Sequence, residues 1–443
     1  MKKILILGFM IPMLFGFLFQ QFYNMVDTIV VGQFLGKDAL AGVGSTGAIN
    51  FMIIGFCMGL ANGFVIPVAQ RYGAKDYKDM RRFVANSIWL TVFFAAIMSI
   101  TVCILCRSVL IAMKTPADIL DLAYDYIFII FAGIPITLAY NLLTGIIRSL
   151  GDSKSPLIFL LMAAVANIGF DILSVTVLKL GVRGPAFATL LAQAFSVVLS
   201  LWCIKTKFPI LKMEPGEWKL HGKHIGILCK MGIPMGLQYS ITAIGTMMVQ
   251  SSLNILGSTL VAAYTAAGKI EQVVTQAYVA MGTTMATYGA QNMGAGSVKR
   301  IREGFKACTI VGVVYSIVAA TFIMTVGKFM TYLFVSEDVK VIMSSVDIYL
   351  KCIGIFFIPL AVVNIYRNGI QGLGYGLLPM MAGVAELTGR GIVAVIAGKM
   401  RSYPGVCLAG PAAWVLAGGL LLVMYFYIMN VHMKKVFGTN GKD

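Results

Sequence analysis

Residues 8–34 read GFMIPMLFGFLFQQFYNMVDTIVVGQF, an apolar run long enough to cross a lipid hydrocarbon core that carries Gln20, Gln21, Asn24 and Asp27. Met1-Lys2-Lys3 ahead of it resembles the basic start of a secretory signal. The run outlasts a signal's hydrophobic region, however, and shows no small-residue cleavage site. It also has a relative in mid-chain, near residue 225, where Ile233-Pro234 repeats Ile11-Pro12. It therefore reads as a retained first transmembrane helix in a duplicated chain.

Working outward, apolar segments recur at 44–69, 83–110, 120–147, 157–178 and 185–205, and again at 225–256, 261–290, 304–332, 343–370, 378–399 and 406–430. A composition of 59% hydrophobic and 12% charged residues, with a mean hydropathy of +0.87 over 443 residues, exceeds what a water-soluble core can hide. The duplication continues beyond the first span. Ala69-Gln70 with Gly73-Ala74 matches Ala290-Gln291 with Gly294-Ala295 at an offset of about 221 residues, Ile134-Pro135 pairs with Ile358-Pro359, and Asn141 pairs with Asn364. The loop Ser149-Leu150-Gly151 ending at Pro156 pairs with Gly372-Leu373-Gly374 ending at Pro379. Gly374-Tyr375-Gly376 looks like a channel filter, but its repeat partner is a loop, so it reads as a turn. Gly55, Gly59 and Gly63 mark one face of the second span for close helix packing.

The predicted fold is an all-α membrane protein of twelve transmembrane helices, in two six-helix lobes related by a pseudo-two-fold along the membrane normal. The lobes cover 1–206 and 224–433; the polar stretch 207–223, with Pro209, Glu214, Pro215, Gly216 and Glu217, is the linker, and 434–443 is a cytoplasmic tail. A net charge of +17 would suggest nucleic acid in a soluble protein. Here roughly 23 Lys and Arg lie at the N-terminus, in the even loops and in the tail, against roughly 10 in the odd loops, which is a topology signal placing both termini in the cytoplasm. No nucleic-acid partner is expected. The eight cysteines sit mostly in apolar segments and read as small core residues, Cys103 and Cys106 included, so neither disulfides nor a cofactor is expected.

Ionisable side chains inside the hydrocarbon are costly and therefore few and informative. Six stand out: Asp27, Asp171, Lys269, Glu271, Glu386 and Arg390. With the N-terminus inside, Asp27 and Asp171 each lie about seven residues, roughly 10 Å, from the outer end of their helices. Asn167 is one turn from Asp171 on the same face, and Tyr126 and Thr189 reach that level on their own spans. Such a cluster can hold a proton between the acids or offer oxygens to a small hard cation; the lesser alternative is that Asp27 and Asp171 are hydrogen-bonded buried acids that only lock helices together. Glu386 and Arg390, at i and i+4, favour a structural ion pair that could still line the pathway. Lys269 and Glu271 are two apart, point to different sides of their helix, and each needs a partner elsewhere, in a lobe ion pair or along the substrate pathway.

The chain resembles the multidrug and toxic compound extrusion (MATE) transporters over nearly its whole length. The likeness is carried by residues 20–32 (QQFYNMVDTIVVG), the loop 70–73, residues 167–171, residues 181–189 with Gln193, and residues 290–296 (AQNMGAG). The resemblance implies two six-helix lobes in a V, and antiport of protons or sodium ions against organic cations. It makes Asp27 similar to the family's first-helix acid, and Asn167 and Asp171 similar to its fifth-helix pair. These three would be the metal ligands if sodium is the coupling ion. Tyr126 and Thr189 match by spacing and depth, and Pro12 resembles a proline at which the first helix bends. The acids some relatives carry in the seventh and tenth helices are missing, since Gln250 and Asn254 stand in the seventh and only Asp347 in the tenth.

The expected protein is a secondary multidrug efflux antiporter of the plasma membrane, monomeric, not an enzyme, with lipid and small amphipathic organic cations as partners. The nearest rival is a flippase-like exporter of a lipid-linked or other specific metabolite on the same two-lobe fold.

Overall fold

The computed structural model describes residues 2–113, 115–333 and 339–433, which leaves the predicted tail 434–443 outside the described residues. The chain is helical, with no strand among the described residues. In the first half α1 (Lys2–Val30), α2 (Lys37–Ser45), α3 (Gly47–Gly73), α4 (Tyr77–Ala112), α5 (Ala117–Ala132), α6 (Ile134–Ser149), α7 (Lys154–Ile172) and α8 (Arg183–Lys207) build six spans. The second half repeats the plan with α9 (Gly222–Asn254), α10 (Ser258–Gly294), α11 (Val298–Thr325), α12 (Val339–Gly354), α13 (Phe357–Gly372), α14 (Leu377–Lys399), α15 (Tyr403–Cys407) and α16 (Ala409–Tyr427).

Eight of the described helical segments are long and apolar enough to cross a membrane, or ten when each bent pair is one span. The remaining two of the twelve are α9 and α10. Both are more polar along their length, because α9 carries Gln238, Ser240, Thr242, Gln250 and Ser251 beyond Lys230, and α10 carries Lys269, Glu271, Gln272 and Gln276. The bent pairs occupy equivalent places in the repeat: α5 and α6 meet at 47°, and the described part of α12 meets α13 at 52°. Pro135 and Pro359 stand at the start of the second helix of each pair, where a missing N–H and a fixed φ break the helical ladder.

Two compact units emerge, one formed by Ile11–Ser240 and the other by Ile241–Asp443 with Met1–Met10. In the first, Leu60, Phe64, Met80, Phe83, Phe131 and Leu138 form a fully buried core. This unit also takes in the linker and the first part of α9, for a reason visible in the second span. A Cβ added to Gly63 would stand 2.5 Å from Gly232 Cα, and one on Gly59 would overlap the Met235 carbonyl, so α3 and α9 touch backbone to backbone. Lipid supplies little hydrophobic drive between helices, and such close contacts supply dispersion instead. In the second unit Tyr278, Phe305 and Phe357 are buried, and Ser316 Oγ donates to the Phe357 carbonyl at 3.1 Å. The paired loops after α6 and α13 turn on Gly151 (φ +95°) and Gly374 (φ +98°), left-handed positions that a Cβ disfavours. Gly374-Tyr375-Gly376 is accordingly a turn.

The linker is bound to α4 by polar contacts. Glu217 accepts from Arg81, His221 N–H donates to Asn86 Oδ1 at 3.0 Å, and Trp89 Nε1–H donates to the Trp218 carbonyl at 3.1 Å.

Candidate functional site

Gln20, Tyr23 and Asp27 recur at helical spacing and lie along one face of α1. Opposite them α7 presents Asn167 and Asp171, one turn apart and both fully buried. Tyr126 from α5 lies near both acids, and Thr189 from α8 reaches the Asp27 carboxyl. All five residues expected at the cation site are thus brought together inside the first unit. The two carboxyls are close enough to interact directly. A carboxylate has no proton to donate, so this contact is a hydrogen bond only when one of the two acids is protonated.

Among the described residues no ordinary donor or acceptor satisfies the other atoms: both Asp171 carboxylate oxygens, both Asn167 amide atoms and Asp27 Oδ1 are buried without a hydrogen-bond partner there. Orphaned buried polar atoms are rare and costly, and four of these five are oxygens that want a proton or a cation. Below them lies a cavity of about 30 Å³, lined by Gln20, Tyr23, Tyr140, Asn167, Thr189 and Gln193, with room for water or a small ion. Gln193 is held in place by Thr137, whose hydroxyl donates to its Oε1 at 2.7 Å. Tyr23, Tyr140 and Gln193 belong to the site but were not predicted for it. Tyr23 lies one turn before Asp27, a spacing that could have marked it.

Each helix of the acid pair ends in a widened π-helical turn shortly after its acid, Val31–Leu35 following α1 and Leu173–Val177 following α7. Such turns give up regular helical bonding and are common beside functional side chains. Pro12 sits inside continuous α1, and a second cavity, about 50 Å³, runs beside it past Gly16, Gln20, Tyr140 and Arg148.

The other predicted residues lie in the second unit. Glu386 and Arg390 pair along α14, with Arg390 Nη2 donating to Glu386 Oε1 at 2.8 Å. A third member joins them. Arg367, on α13, donates through Nη2 to Glu386 Oε2 at 2.5 Å, which places two arginines on one buried carboxylate. Nothing in the local spacing of α14 signals Arg367. Lys269 and Glu271 diverge as their spacing predicts: Lys269 is exposed, while Glu271 accepts from the Tyr349 hydroxyl beside a cavity of about 200 Å³. Asp347 pairs with Lys351 at 2.6 Å.

Comparison with known proteins agrees with this architecture. The MatE family model matches the chain twice, over residues 12–173 and 234–395, once in each half of the repeat. The chain is 30% identical to the probable multidrug resistance protein YpnP of Bacillus subtilis over 377 residues, covering 84% of this chain and 83% of that one. It is 21% identical to the probable multidrug resistance protein NorM of Thermotoga maritima over 434 residues, covering 96% and 89%. Among solved structures, a MATE transporter crystallised in the bent conformation superposes with a TM-score of 0.90 at 21% identity, covering 99% of this chain and 97% of the other. The protein is thus a multi-pass membrane transporter with twelve transmembrane helices in two lobes, and it belongs to the MatE family of multidrug and toxic compound extrusion proteins.

Proposed function

We propose that the protein is a secondary antiporter that exports amphipathic, cationic compounds in exchange for protons or sodium ions, with Asp27 and Asp171 as the coupling acids. The observation that carries this reading is the facing pair of carboxyls with unsatisfied oxygens, in a buried pocket that also holds Asn167, Tyr126 and Thr189. A proton shared by the acids, or a sodium ion held by Asp27, Asn167 and Asp171, would satisfy those atoms. Binding either one changes the charge of the pocket, and Pro12 in α1 is where the helix would bend in response. The names of the similar proteins from Bacillus subtilis and Thermotoga maritima support multidrug substrates. In this reading the protein is a monomer in the plasma membrane with both termini and the 207–223 linker cytoplasmic. Glu386 and Arg390 act as a structural ion cluster.

The test is uptake of a fluorescent organic cation into proteoliposomes, with a pH gradient and a sodium gradient imposed separately. One gradient alone should drive transport and so identify the coupling ion. Uptake indifferent to both gradients would remove the antiport reading.

A further inference from the structure

The internal repeat places a second pocket at the position in the second unit that matches the acid site of the first. Fifteen residues beyond Pro12 stands Asp27; fifteen beyond Pro234 stands Val249. Eleven and fifteen residues beyond Pro156 stand Asn167 and Asp171; the same steps from Pro379 reach Arg390 and Ala394. Thr189 follows Gly184-Pro185-Ala186, and Val415 takes its place after Gly410-Pro411-Ala412. Both acids have become apolar, the amide has become a guanidinium, and the hydroxyl has become a methyl group.

This counterpart is an open cavity of about 200 Å³, with Val249, Arg390, Gly410 and Pro411 in its wall. Tyr23 of the first unit corresponds to Gly245, eleven residues beyond Pro234, and its missing side chain leaves the room that Arg390 occupies. A Cβ on Gly245 would stand 3.2 Å from Arg390 Cδ. The charge count points the same way. Arg367 and Arg390 share the single carboxylate of Glu386, so this ion-paired trio carries one net positive charge, which only an ionised Glu271 across the cavity offsets among the described residues. Arg390 has five N–H donors; one is spent on Glu386, and its buried Nε–H has no partner among the described residues. Glu271 lines the same cavity but is held by the Tyr349 hydroxyl and forms no ion pair with Arg390 among the described residues.

We propose that this cavity is a binding site for an organic carboxylate, seated on Arg390 with its aromatic or apolar body against Tyr264, Tyr349 and Trp414. A guanidinium grips a carboxylate through paired, charge-assisted hydrogen bonds, and the ligand would supply the anion the cluster lacks. Glu271 sets the pH response. The titratable groups around it are Tyr264 on its own helix, Tyr349 from α12, Arg390 from α14 and Cys407 from α15. An ionised Glu271 repels the ligand and competes for Arg390, so affinity falls as pH rises through its titration.

The test is calorimetric binding to the purified full-length protein with two probes of matched shape, naphthalene-2-carboxylate and 2-naphthylmethylammonium. The carboxylate should bind at one site per chain. Arg390→Gln should weaken it at least tenfold without changing binding of the ammonium probe, since Arg367 still holds Glu386. Val249→Asp, which restores the acid found in the first unit, should abolish carboxylate binding, while the neutral Val249→Asn keeps it. Glu271→Gln should flatten the pH dependence. Carboxylate binding unchanged in both Arg390→Gln and Val249→Asp, or absent from the wild type, overturns the proposal. If Arg390→Gln fails to fold, the Val249 pair decides alone.

Discussion

Glu217 in the linker accepts both Nε–H and Nη2–H of Arg81, at 2.7 and 2.9 Å, across 136 residues of sequence. Glu217 is 2% exposed and takes a third hydrogen bond from the Glu214 N–H at 2.8 Å. The Arg81 hydrogen bonds hold its carboxyl below the usual glutamate range. Because the folded value is depressed, the stabilisation is present above the unfolded pKa and is lost as pH falls through the folded one. Glu217→Gln should therefore release the linker at neutral pH, costing about 2 kcal/mol locally and raising its cleavage by added protease roughly 30-fold. The wild-type linker should become equally sensitive only at more acidic pH than an ordinary glutamate would require.

At the acid site, Asp27→Asn and Asp171→Asn keep the size and hydrogen-bonding capacity of the side chains but remove the charge and the titratable proton. Both variants should insert and fold, while ion-driven uptake falls roughly tenfold or more. Linkage is reciprocal, so wild-type drug affinity should shift with the coupling ion and that of the variants should not. Drug binding in detergent against pH and sodium, alongside proteoliposome uptake, reads both effects. Full ion-driven transport in both variants would move coupling elsewhere.

For Glu386 a simple charge exchange should not succeed. Were it paired with Arg390 alone, Glu386→Arg with Arg390→Glu would restore expression lost in either single variant. Arg367 changes the outcome, because in the exchanged protein it faces a cation at position 386 instead of its carboxylate. The double exchange should stay poorly expressed until Arg367→Gln is added. Fluorescence-detected size-exclusion chromatography of the single, double and triple variants measures this directly.

Where α3 meets α9, the atoms a new side chain would strike belong to backbone, which cannot swing aside. Gly63→Ala should destabilise the protein by about 1–3 kcal/mol through overpacking. Gly419→Ala, at an exposed position of α16 with nothing within 4 Å of the added Cβ, should instead be neutral or stabilising by up to about 1 kcal/mol. Thermal unfolding in one detergent should place Gly63→Ala below the wild type and Gly419→Ala at or above it.

Topology follows the basic residues. Reporters fused after Lys75, within residues 207–223 and after Lys434, which lies outside the described residues, should all report from the cytoplasm. An external signal from the linker would break the six-plus-six arrangement.

Hydropathy, the repeat and the spacing of residues along single helices were legible without coordinates. They determined the twelve spans, the duplication, the stacking of Asn167 on Asp171 and the pairing of Glu386 with Arg390. Each of these depends on helical rise and rotation, which are the same in every helix. The shared depth of Asp27 and Asp171 was legible as well, because the bilayer sets a common frame for helix ends. What α1 and α7 turn toward each other depends on rotation about each helix axis, and packing against neighbours sets that rotation. For this reason the facing of the two carboxyls, Tyr23 and Gln193 beside them, Arg367 on Glu386 and Tyr349 on Glu271 came only from the tertiary structure. So did the cavity around Arg390: the substitutions that reverse its polarity lie in the repeat, but only packing shows that Val249 and Arg390 border one open space.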